Sequence, residues 1–176
     1  MKKALLLFAV GLFVIGATNA QSYERPIGSE FSIGISPALP VGDFSNVSSF
    51  GVGADLKYAY NFNESIAATI SAGYNNFFVK GDLKDLGFKD MGFVPLKAGV
   101  RFSMANFYAE PQIGAAIGTN KGGETNLTYA GQIGVMATPS FDIGLRYEGI
   151  SQGKDIEGNN SSIGFVALRL AYTMPF

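Results

Sequence analysis

Residues Phe50 to Phe62, FGVGADLKYAYNF, alternate without interruption over thirteen positions. Phe50, Val52, Ala54, Leu56, Tyr58, Tyr60 and Phe62 fall on one face of an extended strand. Gly51, Gly53, Asp55, Lys57, Ala59 and Asn61 fall on the other. A helical period of 3.6 residues would mix the two sets, so the pattern demands a strand. It also poses a question of orientation. If the apolar face is a soluble core, the charged face meets water; if the apolar face meets lipid, Asp55 and Lys57 are inside.

Seven more stretches repeat the alternation: FSIGIS from Phe31, IAATISAGY from Ile66, VPLKAGVRF from Val94, FYAEPQIGAAIG from Phe107, LTYAGQIGV from Leu127, FDIGLRYEG from Phe141 and VALRLAYTMPF from Val166. Eight strands is an even number. The connections alternate in length, with short ones near Asn63–Glu64, Met104–Asn106 and Thr138–Ser140. The long ones, rich in Gly, Asn and Asp, fall at residues 42–49, 75–92, 118–126 and 151–161. Short turns on one rim and long loops on the other are the pattern of outer-membrane barrels, with both termini on the short-turn, periplasmic side.

Ahead of the strands, MKKALLLFAVGLFVIGATNA puts Lys2 and Lys3 before an apolar run and ends in small residues at Ala20. This predicts an export signal at residues 1–20, cleaved after Ala20, and a barrel domain over residues 21–176. The apolar run is short of the roughly 20 residues a membrane helix needs. The chain beyond Ala20 carries 11 basic and 14 acidic residues, and this balance gives no basic surface for nucleic acid.

The faces decide the orientation. The apolar faces contain no Asp, Glu, Lys, Arg, Asn or Gln, whereas the outer wall of a soluble, lipocalin-like barrel needs many of them. Hydrocarbon outside explains that absence, since Arg or Lys at the bilayer midplane costs about 2–4 kcal/mol. The opposite faces are mostly small residues, suited to the narrow lumen of an eight-stranded barrel. Phe62, Phe102, Phe107, Phe141, Tyr172 and Phe176 adjoin the short-turn end and are expected to form one aromatic girdle. Phe50, Tyr74, Tyr129 and Tyr147 are candidates for the other. The expected fold is all-β: an eight-stranded antiparallel up-and-down transmembrane β-barrel.

The signal segment, the eight strands and the terminal Phe176 with Tyr172 and Leu170 on its face resemble the small eight-stranded outer-membrane barrels of Gram-negative bacteria, the OmpA-like and OmpX-like group. The segment LPVGDFSNVSSFGVGADLKYAYNFNE resembles the first hairpin of members from Bacteroidetes. The resemblance implies residence in the outer membrane, contact with its lipid, and a terminal Phe176 read by the barrel-assembly machinery.

The inward faces carry Lys57, Lys97, Arg101, Arg146 and Arg169 against Asp55, Glu110, Asp142 and Glu148. Charges enclosed together must pair, so an ion-pair plug that fills the lumen is expected; the alternative is a polar path for passive small-solute transport. With no His and no Cys, no Ser-His-Asp or Cys-His arrangement can be built, and no enzyme, cofactor or metal is expected. GTNKGG at Gly118–Gly123 lacks phosphate-loop order and precedes no helix, so it reads as an exposed loop. Asp82, Asp85 and Asp90 fit no calcium-loop spacing. Pro111 within a strand predicts a bulge or an unbonded position. The expected role is structural support of the membrane or capture of a surface ligand by the long loops.

Overall fold

The computed structural model describes residues 25–120, 123–154 and 160–175. The export segment and Phe176 lie outside these residues, as do Lys121 and the centre of the last loop.

Eight strands form one closed sheet in sequence order: β1 (Gly28–Val41), β2 (Ser48–Asn61), β3 (Ile66–Val79), β4 (Met91–Met104), β5 (Phe107–Gly118), β6 (Thr125–Thr138), β7 (Phe141–Lys154) and β8 (Asn160–Pro175). Every neighbouring pair is antiparallel, and β1 closes the barrel on β8 from Glu30↔Pro175 to Val41↔Gly164. Closure leaves no strand edge exposed, the condition for placing a sheet in hydrocarbon. Two short helices sit in the long loops, α1 (Phe44–Val47) and α2 (Gly81–Lys84).

The strands are found where the alternation predicts them, but most run further toward the long loops. β1 continues past Ser36 to Val41, β3 past Tyr74 to Val79, and β4 begins at Met91. The loops shrink accordingly: the segment expected at residues 75–92 is a connection only over residues 80–90. The physical reason is that the apolar-out, polar-in code fails at that end. Phe77, Phe93, Ile150, Ile163 and Phe165 are buried there, so alternation no longer separates apolar from polar residues. Strands of 12 to 16 residues also exceed the roughly 9–11 that hydrocarbon requires, so their loop ends project beyond it.

The prolines interrupt ladders without shifting them. Pairing of β4 with β5 runs to Gly99↔Gln112 and resumes in the same register at Phe102↔Ala109, past Pro111. The unbonded position is therefore realised and the bulge is not, because Pro lacks the N–H that a ladder bond needs. Pro95 interrupts β3–β4 and Pro37 interrupts β1–β8 in the same way. At the short-turn rim, Asn63 Oδ1 accepts hydrogen bonds from the N–H groups of Ser65 (2.9 Å) and Ile66 (2.8 Å), an Asx turn that reverses the chain.

The orientation is inside-out relative to a soluble protein. Ile70 and Ile133 are each 60% exposed, whereas Arg101 is 1% exposed and Arg169 is fully covered. Leu56, Tyr58, Val100 and Ile113 join the exposed belt. An apolar surface that surrounds the whole barrel matches hydrocarbon and not water. Val135 departs from this belt: outward by alternation, it is buried, with Phe107 and Ile143 as its neighbours across the two ladders.

Leu56 lies on this belt beside inward-facing Lys57. Leu56→Arg should cost about 2–4 kcal/mol of membrane assembly, read as loss of the heat-modifiable folded band in liposomes. Lys57→Met should still insert. Normal assembly of Leu56→Arg with failure of Lys57→Met would reverse the assignment of faces.

Candidate functional site

The lumen is where the fold gathers its chemistry. Eight strands each send inward a residue with a formal charge or a hydrogen-bonding side chain, and the interior is too narrow for them to stay apart. Among the described residues the buried cations are Arg25, Lys57, Lys97, Arg101, Arg146 and Arg169; the buried anions are Glu30, Asp55, Glu110, Asp142 and Glu148. All nine charged positions expected from the sequence are inside. Arg25 and Glu30 join them, and both escaped sequence reading because they precede the first recognisable alternation.

The charges form two knots. In the one nearer the short turns, Glu30 lies between Arg25 (3.1 Å) and Arg101 (2.8 Å). Arg101 Nε donates to Glu110 Oε2 at 2.8 Å. Lys57 Nζ is 2.8 Å from Glu110 Oε1, an ion pair without the angle of a directed hydrogen bond. Thr69 and Gln112 also donate to Glu110. In the second knot Arg169 donates to Asp55 through Nε (2.9 Å) and Nη2 (2.6 Å), to Asp142 through Nη1 (3.2 Å) and to Ser32. Arg146 lies 3.7 Å from Asp55 and 3.4 Å from Glu148, and Lys97 closes on Glu148.

Tyr108 joins the knots. Its hydroxyl donates to Asp142 Oδ1 at 2.8 Å and accepts from Gln132. Its ring carries the guanidinium of Arg101 at 4.9 Å and that of Arg25 at 5.4 Å. Gly134 and Gly144 make room for it: a Cβ at either position would fall 2.4 or 2.9 Å from the Tyr108 side chain. An inward aromatic facing two glycines on later strands was the available signal, and it is visible only once the register is known.

Beyond the second knot, toward the long loops, the interior turns apolar. Phe77 stands edge-on to Phe44 (5.0 Å) and Phe93 (6.4 Å) and tilted against Phe165 (4.8 Å). Ala38, Ala116, Ile150, Ile163 and Ala167 complete this cork, and α1 brings Phe44 into it. A small cavity lined by Asp55, Ser71, Asn75, Pro95, Lys97 and Arg146 holds about 10 Å³ of water-accessible space, room for a single water molecule. A polar plug alone was expected; the lumen instead has two tiers, ionic below and aromatic above.

The girdle residues Phe62, Phe102, Phe107, Phe141 and Tyr172 are all exposed on the outer wall beside the short turns. Phe141 and Tyr172 pair across β7 and β8. Phe50, Tyr74, Tyr129 and Tyr147 are exposed nearer the long loops. Loop residues 80–90 are ordered by Asp90, which accepts from the Val79 N–H (2.9 Å) and from Lys84 Nζ (3.2 Å). These bonds hold its carboxyl below the ordinary aspartate range. Asp82 and Asp85 do not converge with it, and the described residues contain no cluster able to hold a metal ion. At the described residues flanking Lys121 and Gly122, Gly118 N–H donates to Glu124 O and Gly123 N–H to Asn120 O.

A closed eight-stranded barrel with an apolar exterior and a filled, charged lumen defines the class: the fold is that of the small transmembrane barrels of the bacterial outer membrane. Among solved structures, Ail, the attachment invasion locus protein of Yersinia pestis, is 21% identical with a TM-score of 0.58, the match covering 85% of this chain and 100% of Ail. The N-terminal β-barrel domain of Pseudomonas aeruginosa OprF is 10% identical with a TM-score of 0.58, covering 85% and 100%. Neisserial surface protein A is 13% identical with a TM-score of 0.54, covering 85% and 97%. At these identities the likeness is one of fold. No protein-family model and no curated protein matches the chain.

Arg169→Met leaves Asp55 and Asp142 buried without their shared cation and should lower stability by about 3–5 kcal/mol. Lys84→Met, which opens only the exposed pair with Asp90, should cost under about 1 kcal/mol; denaturant midpoints of the folded barrel compare the two. Because the Asp90 carboxyl is held low, its contribution to loop order is present above the ordinary aspartate range and is lost as pH falls through its lowered value. Protection of the Val79 amide, its exchange measured against the intrinsic rate at each pH, should therefore persist through the ordinary aspartate range and be lost only below it.

Proposed function

We propose that this protein is a non-enzymatic barrel of the Gram-negative outer membrane that acts through its external loops, with the lumen shut. The observation that carries this reading is the double closure of the interior. Each buried carboxylate among the described residues is held in an ion pair, and the aromatic cork covers them on the long-loop side. Ions would have to break both tiers, so passive solute transport is the weaker reading. Paired carboxylates also make poor general bases, which supports a role outside catalysis.

The rest of the reading rests on resemblance and on placement. The apolar belt and its aromatic residues fit outer-membrane lipid, and Ail, of the same fold, has a backbone structure in a phospholipid bilayer nanodisc. Export by residues 1–20, periplasmic termini, recognition of Phe176 by the barrel-assembly machinery, and kinship of the first hairpin with Bacteroidetes members complete the proposal. Loop capture of a surface ligand is consistent with the structure of Ail in complex with the heparin analogue sucrose octasulfate.

The test is ion conductance of the refolded, heat-modifiable protein in a planar lipid bilayer. A silent membrane with verified insertion is expected. Reproducible stepwise currents would overturn the closed lumen and make transport the leading function.

A further inference from the structure

The outer wall of the barrel is sunk at one place. A groove of about 530 Å³ crosses it between Phe31 on β1 and Ile113 on β5. The ladders show why it lies there. Across the sheet, Ala72 stands between Leu56 and Leu96, and Ala98 stands between Ile70 and Ile113. The two alanines are diagonal neighbours, since Ala72 pairs with Leu96 and Ile70 with Ala98. Two short side chains set corner to corner among long ones leave a channel, floored by their methyl groups and by Gly114.

The polar side chains at its edge are engaged elsewhere. Tyr58 has its hydroxyl 2.9 Å from Ser29 Oγ, and Lys97 turns its amine into the lumen onto Glu148. Ser71, between the outward Ile70 and Ala72, belongs to the inward face and lines the small lumen cavity. An occupant of the groove therefore meets carbon, and it does so within the belt that carries Leu56 and Ile70.

We propose that this groove holds one acyl chain of a membrane lipid as a resident ligand, while lipid along the rest of the belt exchanges freely. The inference rests on the outer-membrane reading above and names a site within it. A chain lying in the groove is touched from the floor and from both sides, whereas a chain against the convex wall is touched from one side only. Dispersion contacts, each small, add along its length. A second barrel fits less well: two closed barrels are convex in cross-section and meet along a line, so most of a sunken groove would stay uncovered.

NMR of the barrel in nanodiscs of dimyristoylphosphatidylcholine tests this without altering the chain. Ala72 lies six residues from Ile66, Ala98 six from Met104 and Ile133 five from Thr138, each counted from the short-turn end of its strand, so the three lie at nearly one depth. Ile133 stands outside the groove and is 60% exposed, so passing chains reach it most freely. Cross-relaxation from acyl methylenes to labelled methyl groups should be about threefold stronger at Ala72 and Ala98 than at Ile133, because a held chain tumbles with the barrel. Ala98→Leu, which fills the groove with an apolar group, should bring Ala72 down to the Ile133 level; heat-modifiable migration verifies its fold. Equal cross-relaxation at the three positions, or signals at the alanines from a second, differently labelled copy, would overturn the proposal and leave membrane residence standing. Cross-relaxation from water in place of lipid at all three would overturn both.

Discussion

Closure of the sheet between β1 and β8 is the constraint on which the remaining structure depends. In hydrocarbon no water is available to satisfy backbone N–H and C=O groups, so a strand-based protein must return its last strand to its first. With eight strands this fixes a lumen little wider than two facing side chains. The chain must then fill that lumen. It does so with long polar side chains lying across glycines, as Arg169 lies over Gly34 and Tyr108 over Gly134. The abundance of glycine on the inward faces is a packing requirement of a narrow barrel.

The ionic tier is better understood as a device for register than as a source of stability. Enclosed ion pairs regain about what desolvation costs, and apolar replacements of the same volume are often as stable. What such a network does is penalise alternatives. A slip of one residue in any strand would point its charges at lipid and its Leu or Ile at the knot. Arg169 touches groups from β1, β2 and β7 at once, and Arg101 ties β4 to β1 and β5. Each guanidinium thus reports on the alignment of strands far apart in sequence, including the β1–β8 seam that closes last in chain order.

Most of this architecture was legible in the sequence, because lipid outside and charge inside give a period-two signal in every membrane-spanning strand. Leu56 and Lys57 suffice to orient β2, and Ile113 with Glu110 orients β5. What could not be read is instructive. Past the hydrocarbon the lipid-facing requirement ends, so Asn75–Val79 carries polar and aromatic residues on an inward face and looks like loop. Arg25 has no neighbours whose pattern would place it, and its role depends on the chain folding under the barrel, where Asn61 Nδ2 donates to Pro26 O at 3.2 Å. Tyr108 reads as one more inward residue until the register sets Gly134 and Gly144 beside it.

The two tiers divide the work of closure along the membrane normal. Within the hydrocarbon the barrel wall cannot flex outward without exposing polar backbone, so a rigid, directional network suits that depth. Above it the wall meets water, and directional bonds inside would compete with solvent entering from the open end. An apolar cork has no such competition, since water gains nothing by entering a space lined with Phe77, Phe93 and Phe165. The aromatic tier therefore protects the ionic one by keeping bulk water from Asp55, Lys97 and Arg146. The outer end can consequently tolerate change in its loops, provided some apolar group continues to cover Phe77.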